Sequence, residues 1–205
     1  MASKRTLRKP PIIVRRSAIQ GRGVFATGRI RKGTRIIEYD GERIHPDQEE
    51  KRYDSKKMDR HHTFLFGVDE KTTVDAGVGG NDARFINHSC QPNCESVTIN
   101  RRIYIEAVRE IAPGEELSFD YLYEVDEPVT KRDVAFFFCK CGSAKCRGTM
   151  IAPSLLRKYR DRLGQRKNAA DSRKAPRRPS RAQKSARVVT KRHRISPKKR
   201  ARHAR

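Results

Sequence analysis

Apolar residues in this chain come in short, well-punctuated runs. Ile12-Ile13-Val14 follows Pro10-Pro11, and Val24-Phe25-Ala26 follows the pair Gly21 and Gly23. Arg35-Ile36-Ile37-Glu38-Tyr39 lies between a turn at Arg31-Lys32-Gly33-Thr34 and an ending at Asp40-Gly41-Glu42. Thr63-Phe64-Leu65-Phe66-Gly67-Val68 and Thr72-Thr73-Val74-Asp75 come next. Residues 94–99 and 102–108 flank Asn100-Arg101, which predicts a hairpin, and Ile103, Ile105 and Ala107 alternate along its second arm. Residues 116–121 form the last run, after the turn Ala112-Pro113-Gly114-Glu115. Runs rich in β-branched and aromatic residues, broken by Gly, Pro, Asn and Asp, predict strands. Many of them at close spacing predict a mostly β domain.

Two stretches read as helix instead. Residues 46–60 are polar, with Asp47 as a cap, and predict a mostly exposed helical insert. Residues 154–163 are amphipathic, with Leu155, Leu156, Tyr159 and Leu163 as the apolar set, Ser154 as cap and Gly164 as stop. Residues 124–133 read as a polar linker.

One stretch fits neither pattern. Arg84-Phe85-Ile86-Asn87-His88-Ser89-Cys90 sets small polar groups, a histidine and a thiol directly after an apolar pair. It reads either as a strand ending in a polar turn or as a segment anchored in the core that presents hydrogen-bonding groups to something held close.

Charge divides the chain. The net charge is +24 over 205 residues. Residues 153–205 hold 21 Lys and Arg against 2 Asp and Glu, a net of +19, which leaves +5 for residues 1–152. The reading is a flexible leader at 1–11, a domain at 12–123, a cysteine segment at 134–152, the amphipathic helix at 153–164 and a disordered Lys/Arg-rich tail at 165–205. Such a tail suits polyanions, DNA above all; the plainer alternative is a solvated solubility tail. No aromatic residue follows Tyr159, so stacking on single strands is not supported. The N-terminus lacks the apolar run of a Sec signal, and no window has the length of an apolar membrane span.

Five cysteines without an export signal favour metal binding or catalysis over disulfides. Cys139, Cys141 and Cys146 supply three thiolates in a short loop. A tetrahedral zinc site needs a fourth ligand, from Cys90, Cys94 or a histidine. Cys94, at the start of a strand, reads as a small core residue. Were Cys90 the fourth, the ion would clamp this segment beside Asn87 and His88.

Together these pieces resemble the SET-domain protein lysine methyltransferases that carry a post-SET zinc segment. The resemblance rests on Gly21-Arg22-Gly23-Val24-Phe25-Ala26, Glu38-Tyr39-Asp40-Gly41-Glu42, residues 84–90, Pro92-Asn93-Cys94, residues 114–121 and the cysteine cluster. They cover about residues 12–152 in the family's order. The compact form is similar to the stand-alone members found in bacteria.

The resemblance implies a β-clip-like fold of small sheets with short helices, in which the chain near Asn87-His88 packs with Phe119-Asp120-Tyr121 in a pseudoknot. It implies S-adenosylmethionine in one pocket and a target lysine entering through a channel from the opposite face. The backbone near Gln20, Arg22 and Gly23 is expected to hold the methionine part of the cofactor, together with Asn87 and His88. Lys140 and Met150 are expected on the adenine side, and structural Zn2+ on Cys90, Cys139, Cys141 and Cys146. Tyr121 is the expected catalytic residue. Phe119 stands at the family's Phe/Tyr switch, which implies room for di- or trimethylation. Phe64 departs from the family, which often has a tyrosine there in the lysine channel, and Gln20 stands where a histidine is common.

The implied activity is methyl transfer to lysines of histones or histone-like basic DNA-associated proteins. The alternative is a chromatin-binding protein with a catalytically weak SET scaffold. The implied location is cytoplasm or nucleoid in a bacterium, and chromatin or nucleus when acting in a eukaryotic cell.

Overall fold

The computed structural model describes residues 11–58 and 61–174. The leader and the tail beyond Lys174 lie outside the described residues. Residues up to Arg166 form one compact unit, and Lys167 begins a second. Strands β1 (Ile12–Arg16) and β2 (Arg22–Ala26) form an antiparallel pair. Strands β3 (Arg35–Tyr39), β8 (Cys94–Ile99) and β9 (Arg102–Ala107) form one three-stranded sheet with β9 in the middle. A second sheet has β6 (Thr72–Asp75) between β4 (Glu42–Ile44) and β5 (Leu65–Asp69). The fourth sheet is a short parallel pair, β7 (Asn87–His88) with β10 (Ser118–Phe119). The mostly β architecture of small sheets expected from the sequence is what the structure has.

The alternation read along β9 is real: Ile103, Ile105 and Ala107 are buried in a core shared with Val24, Val74, Ile86, Ile111 and Leu117. At about 25 cal/mol per Å2 of apolar surface removed from water, this shared core is the main source of stability. The hairpin turn at Asn100 and Arg101 has φ of 49° and 63°, the left-handed pair that suits the twist of a two-residue hairpin. Asparagine adopts this readily. Arg101 is held in it by its guanidinium, which pairs with Asp69 at 3.2 Å and donates to Thr72.

Crossing of chain segments positions the site. Pairing β7 with β10 tucks one segment beside another distant in sequence, and the Ser89 N–H extends the pair by donating to the Phe119 carbonyl at 3.1 Å. Asn93, 2% exposed, staples the arrangement: its amide nitrogen donates to the Glu116 carbonyl (2.8 Å), and its oxygen accepts from the Ser118 N–H (2.8 Å).

β3 ends at Tyr39 as read, and β4, which was not expected, starts at Glu42; a side chain at Gly41 would strike the Asp75 carbonyl, 2.5 Å from an added Cβ. Three expectations change. Residues 46–58 hold only a 3-10 turn (Pro46–Gln48), the single turn α1 (Glu49–Arg52) and a second 3-10 turn (Ser55–Lys57). They have no apolar stripe to bury; the first cap is His45, and Arg52 and Tyr53 both turn in to bind Asp75. The expected linker runs at its end into helix α2 (Lys131–Phe136), begun by a capping box of Thr130 and Asp133. Helix α3 (Pro153–Lys174) does not stop at Gly164. That glycine faces open space, costs about 1 kcal/mol against alanine, and is outweighed by neighbours that are mostly good helix formers. Among the described residues no helix is long and apolar enough to cross a membrane.

Candidate active site and cysteine centre

Two cavities lie back to back. The first, about 380 Å3, falls within the range of small-molecule sites. Gln20, Arg22, Asn87, His88, Tyr121, Lys140 and Met150 all line it, from four separate parts of the sequence. Gly21, with φ of +45°, turns the backbone at its rim. Arg22 lies over the Phe85 ring at 3.8 Å, which leaves its cation beside the cavity. The Asn87 amide nitrogen donates to the Arg22 carbonyl (3.0 Å) and to a Glu116 carboxylate oxygen (2.8 Å). Its role is therefore to lock the Gln20–Arg22 turn onto β7.

Gly23 has a different place. It is not part of the lining, and a Cβ there would meet Glu116 Oε1 at 2.2 Å. Its missing side chain makes room for the carboxylate that Asn87 and Ser17 both address. From sequence Glu116 was only the first residue of the last strand, within the motif 114–121, with no role of its own.

The second cavity, about 470 Å3, is walled by aromatic rings, among them Tyr39, Phe66, Phe119 and Phe137. Phe119 is buried, stacked on Phe66 at 6.0 Å and beside Tyr121 at 4.8 Å. Phe64, expected in a lysine channel, lines the first cavity and not the second. Five side chains line both: His61, Thr63, Arg84, Tyr121 and Tyr123. They mark where the cavities meet.

At this junction the phenols are held neutral. Burial drives Tyr121 well above its ordinary value, and its hydroxyl donates to the Ile86 carbonyl at 2.8 Å. Burial likewise pushes Tyr123 up to about 12, against a hydrogen bond with Thr63. Tyr123 packs edge-on to Tyr121 at 5.6 Å and to His61 at 4.4 Å. Tyr123 was not singled out from sequence, and His61, with His62, read as a solvated histidine at a helix–strand junction near Phe64. Arg84 adds a fixed cation whose Nε–H is buried with no hydrogen-bond partner among the described residues. His88 is neutral, lowered to about 4 mainly by burial, and its Nδ1 accepts the Tyr121 backbone N–H at 3.2 Å.

Beside the first cavity the sulfur atoms of Cys90, Cys139, Cys141 and Cys146 lie within 4.8 Å of one another. Cys139 sulfur is 3.7 Å from those of Cys90 and Cys146. Four sulfurs at about 2.3 Å from one ion in a tetrahedron are about 3.8 Å apart, so the spacing suits a metal and is far too long for a disulfide. Backbone N–H groups of Arg147, Cys141 and Gly148 point at the sulfurs of Cys90, Cys139 and Cys146. Burial pushes the Cys90 and Cys139 thiols up, so a cation is what would hold them as thiolates. Cys94, buried in the core, is not part of the cluster.

The comparisons with known proteins agree with this geometry. The SET domain pattern matches residues 21–122. This is a SET-domain chain. Over 148 residues, 69% of its length, it is 43% identical to the "Histone-lysine N-methyltransferase, H3 lysine-4 specific" of Saccharomyces cerevisiae, of which the match covers 13%. It is 40% identical over 158 residues (72% of this chain, 4% of the relative) to Histone-lysine N-methyltransferase trithorax of Drosophila virilis. It is 40% identical over 146 residues (68% and 5%) to Histone-lysine N-methyltransferase 2B of Homo sapiens. The SET-domain chain thus spans a small part of the length of the relatives it matches. The matched lengths exceed that of the SET pattern itself.

Proposed function

We propose that this SET-domain chain transfers methyl groups from S-adenosylmethionine to lysine side chains of proteins, with histones as the substrate class. The observation that carries the reading is the pair of cavities sharing Tyr121: one bounded by Arg22, Asn87 and His88, the other walled by aromatic rings. The relatives' names supply the reaction and point to histone H3. S-adenosylmethionine, when bound, supplies a methyl group on a sulfonium. The first cavity fits it in size, in the cation of Arg22 at one wall and in the apolar cover of Met150 and Phe138. Gln20, Arg22, Asn87, His88, Lys140 and Met150 would hold it, and Cys90, Cys139, Cys141 and Cys146 would hold a structural Zn2+.

The chain's own part is alignment and charge. An amine attacks only when neutral, and a lysine stem threaded between Phe119, Phe66 and Tyr39 loses hydration, which lowers its pKa. Arg84 at the junction repels an ammonium and favours the amine further. Tyr121 keeps its proton on the Ile86 carbonyl, so its oxygen serves as a fixed acceptor that orients the reacting centre.

The test is transfer of labelled methyl groups to purified core histones by the full chain and by Tyr121→Phe. The wild type labels histones and the variant is slower by roughly 10²-fold, the size expected from a small misplacement of reacting atoms. A wild type that labels nothing overturns the assignment. Equal labelling by both proteins removes Tyr121 from the mechanism. The same experiment separates this reading from a chromatin-binding scaffold, which would retain histones without labelling them.

A further inference from the structure

We infer that His61 is the proton acceptor for the substrate lysine where the two cavities meet. The inference rests on the methyltransferase reading and adds to it a residue outside that mechanism. A lysine arrives as an ammonium and has no lone pair until it loses a proton. When the amine attacks, its electron pair forms the N–C bond and the C–S pair leaves with sulfur. The new methylammonium again carries N–H bonds. A second methyl can be added only after one N–H pair returns to nitrogen and the proton leaves. Each time the proton must leave, to water or to a base at the junction.

Of the five side chains shared by the cavities, four are poor candidates. Arg84 is a cation with no lone pair to give. Tyr121 and Tyr123 are neutral phenols, and Thr63 is a neutral hydroxyl; all three oxygens are very weak bases. His61 alone among them has a basic nitrogen. Its ring is wedged between Tyr123 and Phe137 at 4.4 and 4.6 Å, and its backbone N–H donates to the Phe136 carbonyl at 2.9 Å. Nε2 lies 3.3 Å from Thr63 Oγ1. With Nε2–H donating to that hydroxyl, Nδ1 holds the free lone pair.

The surroundings leave the ring with its lone pair free and make a captured proton short-lived. Burial, and secondarily His62, push the imidazole down to about 4, so it is neutral at physiological pH. Arg84 lines the same junction as a cation, and Glu49 and Glu124 line the second cavity. The residue is only partly buried, so a captured proton has a way out to water.

The test uses the full chain with S-adenosylmethionine and two peptides from the N-terminus of histone H3, with lysine 4 unmethylated or monomethylated. His61→Ala lowers turnover by about 10²-fold, the usual share of a positioned base. Added free imidazole restores at least about tenfold of it. His61→Gln keeps a donor for Thr63 but has no basic nitrogen, and it is as slow as the alanine variant; it carries the test if alanine unfolds the protein. A readout apart from turnover is 15N-histidine NMR without cofactor, where either peptide shifts the His61 resonances. Overturning results are a glutamine variant at the wild-type rate, a loss that imidazole leaves untouched in folded protein, or His61 resonances blind to peptide. A wild type that methylates neither peptide nor core histones would instead sink the methyltransferase reading.

Discussion

Phe119 shows how much one atom decides. The ring is 4% exposed, stacked on Phe66 and in contact with Tyr121, and the wall it presents to the second cavity is carbon alone. A methylated nitrogen needs volume and an apolar wall, and Phe119 supplies both. Phe119→Tyr would place a hydroxyl in that cavity, where it must find a partner or lose about 1–3 kcal/mol. The amine, or a water beside it, is the partner within reach. The expected outcome is a shift of product from di- and trimethyl-lysine toward monomethyl-lysine, with little change in the first methylation. Mass spectrometry of the peptide products over time checks it, and a wild type that stops at monomethyl-lysine would defeat the idea. Tyr121, Asn87 and His88 were legible from sequence because they lie in compact motifs. Glu116, His61 and Tyr123 were not, because their meaning comes from contacts made only after β7 has paired with β10. Gly23 was noticed for a close approach, and Glu116 is the neighbour that fills the space beside it.

At the scale of elements, the cysteine segment is a wall with three fasteners. The Arg147 guanidinium grips Asp120 with two hydrogen bonds, at 2.7 and 2.8 Å. Backbone bonds join Tyr123 to Met150 and to Ala152, at 3.1 and 2.9 Å. The third fastener is the sulfur cluster, in which Cys90 comes from the stretch after β7 and the other three cysteines from the segment itself. Lys140, Cys139 and Met150 on this segment close one side of the first cavity. Stripping the metal with a chelator, or replacing Cys90 by Ser, is therefore expected to loosen that wall. Metal affinity should fall by more than the roughly 10- to 100-fold that loss of an outer-shell partner costs. Binding of S-adenosylmethionine should weaken by at least about tenfold, or about 1.4 kcal/mol. Calorimetry and metal content check both; cofactor affinity unchanged after full metal removal would separate the cluster from the cavity. Elements differ in how readable they were. Strands with a buried face announced themselves by alternation, as β9 does. Helix α2 announced itself only by its Thr130 and Asp133 box, and β4 not at all, since its three residues gain strand form from pairing with β6. The parallel β7–β10 pair follows from the family resemblance and could not come from pattern, because threading one segment past another leaves no local trace.

At the scale of the whole molecule, charge is the unused asset. Residues 175–205 hold 13 Lys and Arg and no Asp or Glu. Their conformation lies outside the described residues, but their charge alone makes a prediction. A polycation binding duplex DNA releases counterions, and a protein making 6–10 phosphate contacts loses roughly 10³–10⁵ in affinity between 50 and 200 mM salt. Because helix α3 continues to Lys174, the informative truncation removes 175–205 and not everything after Gly164. The full chain is expected to bind duplex DNA of any sequence with a steep salt slope. The truncated chain should bind at least about tenfold more weakly at 50 mM salt, with a shallower slope. Methylation of a short histone peptide should be the same for both, since the site lies in the first unit. Methylation of histones assembled on DNA should fall on truncation, because there the tail raises the local concentration of enzyme around its substrate. Filter binding across a salt series and parallel assays on peptide and nucleosome separate the cases. Unchanged DNA retention at low salt removes the tether. Retention lost, but nucleosome and peptide rates equally unaffected, means that the tail holds DNA without delivering the enzyme to it.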